Sequence, residues 1–533
     1  MTWTEWAIVF FVIQIIHGLG TWKLYKKAGY DSWNAFVPIY NAVTLMKIIN
    51  RSPYWTILLF LPMINVIMFP IIWVETSRSF GKNSYLDTFL AVISLGFYNY
   101  YLNYFAEINH IKNKDRIPKS SSGEWVNSIL FAIVAATLVH TYFIQPYVIP
   151  SSSLEKSLLV GDFLLVSKYN FGARAPMTAV AAPMVHDTIP IIKKKSYLFN
   201  DEDAHQKTSW LNKLQFPYFR LPGFDTIDRN EIVVFNSPAD STDNINIFSS
   251  DRNYNKPIDK KINLVKRCVG TPGDTLEIKN GFVYINGEKN ILPDRAALQF
   301  SYFVQPKTNQ FNAKLIKERY DITDPFQIIN NQNTYYFSAI SDEALNKFQN
   351  HPNVSSITPN KEEDGARNPN IFPHHPDYQW NNDFFGPLYI PKKGQTIDLN
   401  LKVLPLYKRL ISVYEKNDLE VIGDDIYMNG NLVTTYTFKQ NYYWMMGDNR
   451  HNSLDARAWG FVPFDHVVGK PIFIWMSWDG IKNPRWKRFF TTVHGSGEPI
   501  SFLIPFLIVL SIWYGFNKWR RRNKKINQSV EIR

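Results

Sequence analysis

Trp125–Phe143 reads WVNSILFAIVAATLVHTYF, and it runs almost directly into Gln145–Asp162, QPYVIPSSSLEKSLLVGD. The first string is apolar enough, and close enough to the roughly 20 residues required, to cross a bilayer as a helix. The second is polar, carries three consecutive serines behind a proline, and opens a long polar region, 147–498. This junction divides the chain into a membrane part and a domain delivered at the membrane surface.

Working outward from it, three more stretches meet or approach spanning length: Trp6–Gly20, Tyr54–Val74 and Ile500–Phe516. Leu86–Leu102 is weaker but ends in an aromatic cluster suited to an interface. Asn34–Ile49 is short and holds a proline, so it reads as interfacial or re-entrant. Trp6–Gly20 lacks the basic leader and small-x-small cleavage site of a removable signal peptide, and Glu5 stands in front of it, so a retained span is expected. Lys and Arg near span ends mark the cytoplasmic side. Lys518, Arg520, Arg521, Arg522, Lys524 and Lys525 follow the last span, Lys112, Lys114, Arg116 and Lys119 precede Trp125, and Lys23, Lys26 and Lys27 follow the first. Five spans then place the N-terminus outside and the C-terminus inside, with Arg78 and Lys82 against the scheme. A basic run can also be a nucleic-acid patch, but its place directly after a span favours a cytoplasmic anchor, and no nucleic-acid partner is expected.

The chain has 533 residues, enough for about three or four domains. Its 45% hydrophobic and 16% aromatic content excludes a disordered or fibrous chain, and its formal charge is +12. A single cysteine excludes an internal disulfide framework and a cysteine-based zinc cage. The expected organisation is an N-terminal multi-span module (1–105), a span leading into the polar region (124–146), a β domain in two parts (147–288 and 424–498) around an inserted region (289–423), a C-terminal span (500–518) and a basic tail (519–533).

The polar region reads as mainly β. Short β-branched runs fall at Phe163–Val166, Glu231–Phe235, Asn263–Val269, Leu276–Ile278 and Phe282–Ile285. Asn286-Gly287 and Asn429-Gly430 follow the similar strings FVYI and DIYM; they suit two-residue turns and are read as two separate hairpins rather than an internal repeat. Ser341-Asp-Glu-Ala-Leu has the pattern of a capped helix start, and Pro405–Glu415 has helical spacing with proline in the first turn.

Three strings could carry chemistry. Ser151–Ser153 lies a few residues beyond the bilayer, but a serine hydroxyl is a poor nucleophile without a base to take its proton; the plain alternative is a polar juxtamembrane turn. Ser153-Leu-Glu-Lys156 fits S-x-x-K, the motif of penicillin-interacting enzymes, yet the accompanying K-T-G is absent. In Asn263-Leu-Val-Lys-Arg-Cys-Val-Gly-Thr-Pro-Gly-Asp274, alternation puts Leu264, Lys266 and Cys268 on one strand face. A buried Lys266 would lose its charge more readily and could act as a base near neutral pH; a Lys266 pointing outward from an edge strand could not, and both placements stay open. Tyr442–Pro463, YYWMMGDNRHNSLDARAWGFVP, crowds Asp448, Asn449, Arg450, Asn452, Ser453, Asp455 and Arg457 into ten residues, either as a network around an active centre or as a solvated loop. His374, His375 and Asp377 could touch a metal but have no second ligand cluster, so neither metal nor other cofactor is expected.

Together these strings resemble bacterial type I signal peptidases (leader peptidases), membrane-bound Ser/Lys endopeptidases. Four blocks carry the resemblance: Ile149-Pro-Ser-Ser-Ser-Leu through Gly161-Asp162, Arg229–Phe235, Val265–Asp274, and Met446-Gly-Asp-Asn-Arg through Asp455-Ala-Arg457 and Trp459–Pro463. The resemblance implies Ser153 as nucleophile, Lys266 as general base, Ser151 as oxyanion donor beside the Ser153 N–H, and Ser453 as the residue orienting the lysine. It implies a substrate pocket walled by Ile149, Pro150, Leu158, Val234 and Val265, with Asp448, Asp455 and Arg457 supporting the site. The implied fold is a signal-peptidase-like β domain with several transmembrane helices before it and one after. The implied substrates are secretory precursors cut after small-x-small motifs at the outer face of the bacterial inner membrane, the lipid bilayer and the secretion machinery being candidate partners. Leu154 stands where the family usually has Met, and Lys156-Ser157 where it has Pro-Thr. Two rivals stand beside this reading: a penicillin-interacting enzyme using Ser153 and Lys156, and a non-catalytic membrane adaptor.

Overall fold

The computed structural model describes residues 1–112, 121–200, 209–238, 256–308, 311–329, 334–480 and 483–531. Lys114, Arg116 and Lys119, used above for orientation, lie outside them. The chain divides into two compact units, 1–145 with 172–223 and 254–262, and 146–171 with 224–253 and 263–533.

The first unit is helical. Helix α1 (Trp3–Lys27) starts on a capping box in which Thr2 and Glu5 satisfy each other's backbone N–H, so the acid that argued against a signal leader serves as a helix start. α2 (Tyr40–Ile48), α3 (Trp55–Phe60), α4 (Ile64–Ser79), α5 (Tyr85–Ile93), α6 (Tyr98–Tyr104) and α7 (Ser121–Tyr142) follow. Two expected spans are therefore each a pair of shorter helices. Tyr54–Val74 breaks at Leu61-Pro62-Met63, because proline has no N–H to give and holds Leu61 extended, at ψ 116°. Leu86–Leu102 breaks at Leu95-Gly96; Gly96 has φ +87°, and a Cβ there would fall 2.5 Å from the Trp73 indole. Among the described residues, Trp3–Lys27 and Gly123–Tyr142 are the helices long and apolar enough to cross a membrane. The C-terminal helix Leu503–Glu531, in the second unit, exposes Ile504, Leu507, Ile508, Val509 and Ile512 and continues into Lys518 and the arginines behind it. Within the first unit, a cavity of about 700 Å³ opens between Trp6, Phe10, Leu45, Phe69, Tyr100 and Phe216.

The second unit is built on one large sheet. Its main strands are β1 (Ile144–Val148), β2 (Asp162–Ser167), β3 (Ile232–Asn236), β4 (Asn263–Gly270), β5 (Tyr442–Met446), β6 (Val462–Pro463) and β7 (Val467–Asp479). They lie in the order β1-β2-β7-β3-β4-β5-β6, with two short strands also pairing β7. β4 pairs antiparallel with β3 and β5, Lys266 opposite Val233 and Arg267 opposite Met446. Lys266 is thus on an interior strand, which removes the edge-strand alternative. Both Asn-Gly pairs turn separate hairpins in different sheets, with positive φ at each of the four residues. The helix starting after Ser341 carries the expected cap, Ser341 Oγ accepting from the Ala344 N–H.

Residues 289–423 are not set apart. Phe385–Tyr389 pairs with Thr275–Lys279, and Ile371, Leu388 and Leu410 share a core with Trp444 and Phe461. Beyond it lies a four-stranded sheet of Val354–Pro359, Gln299–Pro306, Tyr335–Ser341 and Phe326–Ile328. Cys268, the lone cysteine, is buried against Phe235 and Met445, and burial pushes its thiol far above the usual range.

The turn into β2 depends on Gly161. Its φ is +87°, and a Cβ would lie 2.1 Å from the Trp478 carbonyl oxygen of β7. Gly161→Ala should therefore destabilise the second unit by about 2 kcal/mol or more, from left-handed strain and backbone displacement together, read as a lowered denaturant midpoint at unchanged slope.

Candidate active site

β4 places two cations side by side in the interior. Arg267 faces Asp448 with two parallel bonds, Nε to Oδ1 at 2.7 Å and Nη2 to Oδ2 at 2.6 Å, and its Nη1 donates to the Asn230 carbonyl. Ser157 Oγ donates to Asp448 Oδ2 at 2.6 Å, tying the segment after the serines into the pair. Burial would raise the Asp448 pKa, but the adjacent Arg267 charge and these hydrogen bonds outweigh it and hold the carboxyl below its usual range.

Lys266 has no such partner. Its Nζ donates to Ser453 Oγ at 3.1 Å, and the residue is only 5% exposed. Burial pushes the amine down to about 8, with Asp455 pulling it back up and Arg457 pushing it further down. Asp455 caps the short helix Ala456–Trp459 and is itself matched by Arg457, Nε to Oδ1 at 2.9 Å and Nη2 to Oδ2 at 2.8 Å. Burial would raise the Asp455 pKa as well, and Arg457 more than reverses it. The two carboxylates near Lys266 therefore spend their charge on arginines rather than on the lysine.

Ser153 sits in a single 3₁₀ turn, Ser152–Leu154, entered from an extended Ser151 (φ −136°, ψ 156°). Ser153 is buried, whereas Ser151 is exposed. The Asn449 N–H donates to the Ser153 carbonyl at 3.1 Å, and Asn449 Nδ2 to the Ser152 carbonyl at 3.2 Å. Gly447 is where the strings converge. A Cβ on it would lie 2.6 Å from the Ser153 carbonyl oxygen and 2.2 Å from Ser453 Oγ, so the Ser152–Leu154 turn and the lysine's partner meet over a position that admits only glycine. Among the described residues, the Lys266 amine bonds to Ser453, and no Ser153–Lys266 hydrogen bond is formed; contacts of this kind are often loose without substrate.

Of the expected pocket residues, Ile149, Leu158, Val234 and Val265 belong to one apolar cluster, which Leu154 joins, while Pro150 is exposed outside it. Lys156 points elsewhere: its Nζ bonds the Asp321 carbonyl at 2.7 Å and pairs with the Asp321 carboxylate at 2.9 Å. His374, from the candidate metal string, sets both ring nitrogens against backbone carbonyls, of Pro369 and Ala458. Sequence reasoning named Asn449 and Asn452 as members of the polar string, gave no role to Ser157, Arg267 and Gly447, and passed over Asp324. Gly447 stood next to Asp448 in a quoted string and could have been flagged; Asp324 had no local signal.

The chain is similar to known proteins. Residues 122–324 and 393–478 match the model described as signal peptidase, peptidase S26, and residues 33–113 match a family of unknown function (DUF5684). The chain is 24% identical over 401 residues to signal peptidase I of Buchnera aphidicola subsp. Acyrthosiphon pisum, covering 73% of this chain and 87% of that protein. It is 22% identical to signal peptidase I of Haemophilus influenzae (70% and 77% covered) and 22% identical to that of Helicobacter pylori (70% and 91%).

Because Asp448 neutralises a guanidinium with almost no access to water, Asp448→Ala should cost about 3–5 kcal/mol, measured by equilibrium unfolding. A loss under 1 kcal/mol would mean that Arg267 finds another partner.

Proposed function

The chain belongs to the signal peptidase family, peptidase S26, and is a serine endopeptidase of signal-peptide processing; from that premise we propose that Ser153 is its nucleophile and Lys266 its general base. The observation that carries this reading is the buried Lys266 amine, held by Ser453 on the loop that also grips the Ser153 turn. An amine lowered to about 8 is neutral in a useful fraction near neutral pH, where an ordinary lysine is almost wholly protonated.

The steps follow from the residues. Neutral Lys266 takes the Ser153 hydroxyl proton as the oxygen attacks the scissile carbonyl. The Ser153 N–H and the exposed Ser151 hydroxyl receive the oxyanion; losing one such donor typically costs about 10²–10³ in rate. The Lys266 ammonium returns its proton to the departing amine, leaving the signal peptide esterified to Ser153. Lys266 then activates the water that releases it. A preference for small-x-small sites is part of this proposal, with Ile149, Leu158, Val234 and Val265, which share one apolar cluster, as the walls. An extended substrate would present alternate residues to such walls.

We propose further that the protein crosses the bacterial inner membrane several times, with the catalytic domain outside and the Arg520–Arg522 tail in the cytoplasm. The apolar α1 and α7 and the basic residues beyond Phe516 support this topology. Lys156 is engaged by Asp321, which favours Lys266 over it as the base.

Ser153→Ala and Lys266→Met should each abolish cleavage of a secretory precursor in detergent while leaving the melting temperature within a few degrees of the parent. Activity surviving in either variant refutes the assignment. The working form of Lys266 is the deprotonated one, so kcat/KM should rise with pH through a midpoint near about 8. A profile flat between pH 6 and 9 would exclude this amine as the base.

A further inference from the structure

The helix Ala313–Tyr320 ends at Asp321, which is left-handed (φ 56°) and turns the chain into Asp321-Ile-Thr-Asp324. These four residues run beside the nucleophile turn and hold it at three successive points. Lys156 Nζ bonds the Asp321 carbonyl and carboxylate. Thr323 Oγ1 donates to Glu155 Oε1 at 3.1 Å. Ser152 Oγ donates to Asp324 Oδ2 at 3.3 Å.

Asp324 does more than close this row. The same Oδ2 accepts from Asn449 Nδ2 at 2.7 Å and from Asn452 Nδ2 at 2.9 Å, and Asn452 also donates to Ser152 Oγ. Asn449 and Asn452 flank the loop residues that lead to Ser453, and the Asn449 N–H bonds the Ser153 carbonyl. One carboxylate, 8% exposed, thus joins the turn bearing Ser153 to the loop bearing Ser453. Hydrogen bonds to an ionised acceptor are roughly twice as strong as neutral ones, and here three donors from two separate segments share it.

We infer that Asp324 is a positioning residue for peptide cleavage, keeping the Ser153 hydroxyl within reach of the Lys266 amine by fixing the turn that carries Ser153 to the loop that carries Ser453, the lysine's hydrogen-bond partner. This rests on the Ser153/Lys266 reading above. A carboxylate with this task affects turnover more than substrate affinity, because its partners are Ser152, Asn449 and Asn452 rather than residues of the apolar cluster.

The test is steady-state cleavage of a precursor by the full chain in detergent. Asp324→Ala should lower kcat by roughly 10- to 100-fold, the scale of an ångström-sized misplacement, with KM within twofold and the pH midpoint unmoved. Asp324→Asn, which keeps an accepting oxygen, should recover much of that loss. Asn452→Ala removes a donor from the same carboxylate, so Asp324→Ala and Asn452→Ala should combine less than additively. Parental kcat in Asp324→Ala, or strict additivity in the double variant, overturns the proposal. So does a loss wholly in KM. Should Asp324→Ala fail to fold, Asn452→Ala alone must lower kcat for the proposal to stand. Ser153→Ala run alongside separates the two readings: cleavage by that variant sinks the nucleophile assignment, whereas an inactive Ser153→Ala beside a fully active Asp324→Ala sinks only the positioning role.

Discussion

An amine kept from water without a carboxylate of its own is the constraint on which the rest of the catalytic unit depends. Desolvation penalises the ammonium form, and a nearby free carboxylate would restore it. Asp448 and Asp455 both lie close enough to influence Lys266, yet each is engaged bidentately by an arginine, Arg267 and Arg457. The neighbours on β4 divide the work: Arg267 is charged and fully matched, while Lys266 is given only the Ser453 hydroxyl. Removing the ion pairs would leave buried charge unbalanced, so they are better understood as insulation for the lysine than as sources of net stability.

The sheet order serves the same end. β3, β4 and β5 are adjacent, so residues 232, 267 and 446 meet although the chain separates them widely. β5 leads directly into Gly447 and the loop of Asn449 and Ser453, which folds back on the serine turn that precedes β2. The lack of a side chain at Gly447 allows that return. Residues 289–423, which look like an insertion on the line of the sequence, belong physically to this assembly through the Ile371, Leu388 and Leu410 core contacts.

Much of this was legible in local chemistry. β-branched runs located β2, β3 and β4 within a residue or two, and each Asn-Gly pair marked a hairpin because few other residues tolerate two positive φ values in succession. The pairing of Lys266 with Ser453 could be expected only through the family resemblance, since 187 residues separate them and no periodicity connects them. Asp324 was invisible for the same reason. The membrane module was the least legible part. Apolar length says that a segment can be buried in lipid, not that it continues straight, and Pro62 and Gly96 redirect the backbone inside runs that hydropathy reads as continuous. The Lys266 face was undecided from alternation alone; β5 on its far side made the strand interior.

The lone cysteine has a practical consequence. Cys268 is enclosed on β4 and its thiol is held in the protonated, unreactive form. The native polypeptide is accordingly silent toward maleimides and other sulfhydryl reagents while folded. A reporter cysteine engineered at an exposed position such as Glu343 would be the first accessible label, so spin or fluorescence probes could follow the domain during turnover without stripping the natural residue away.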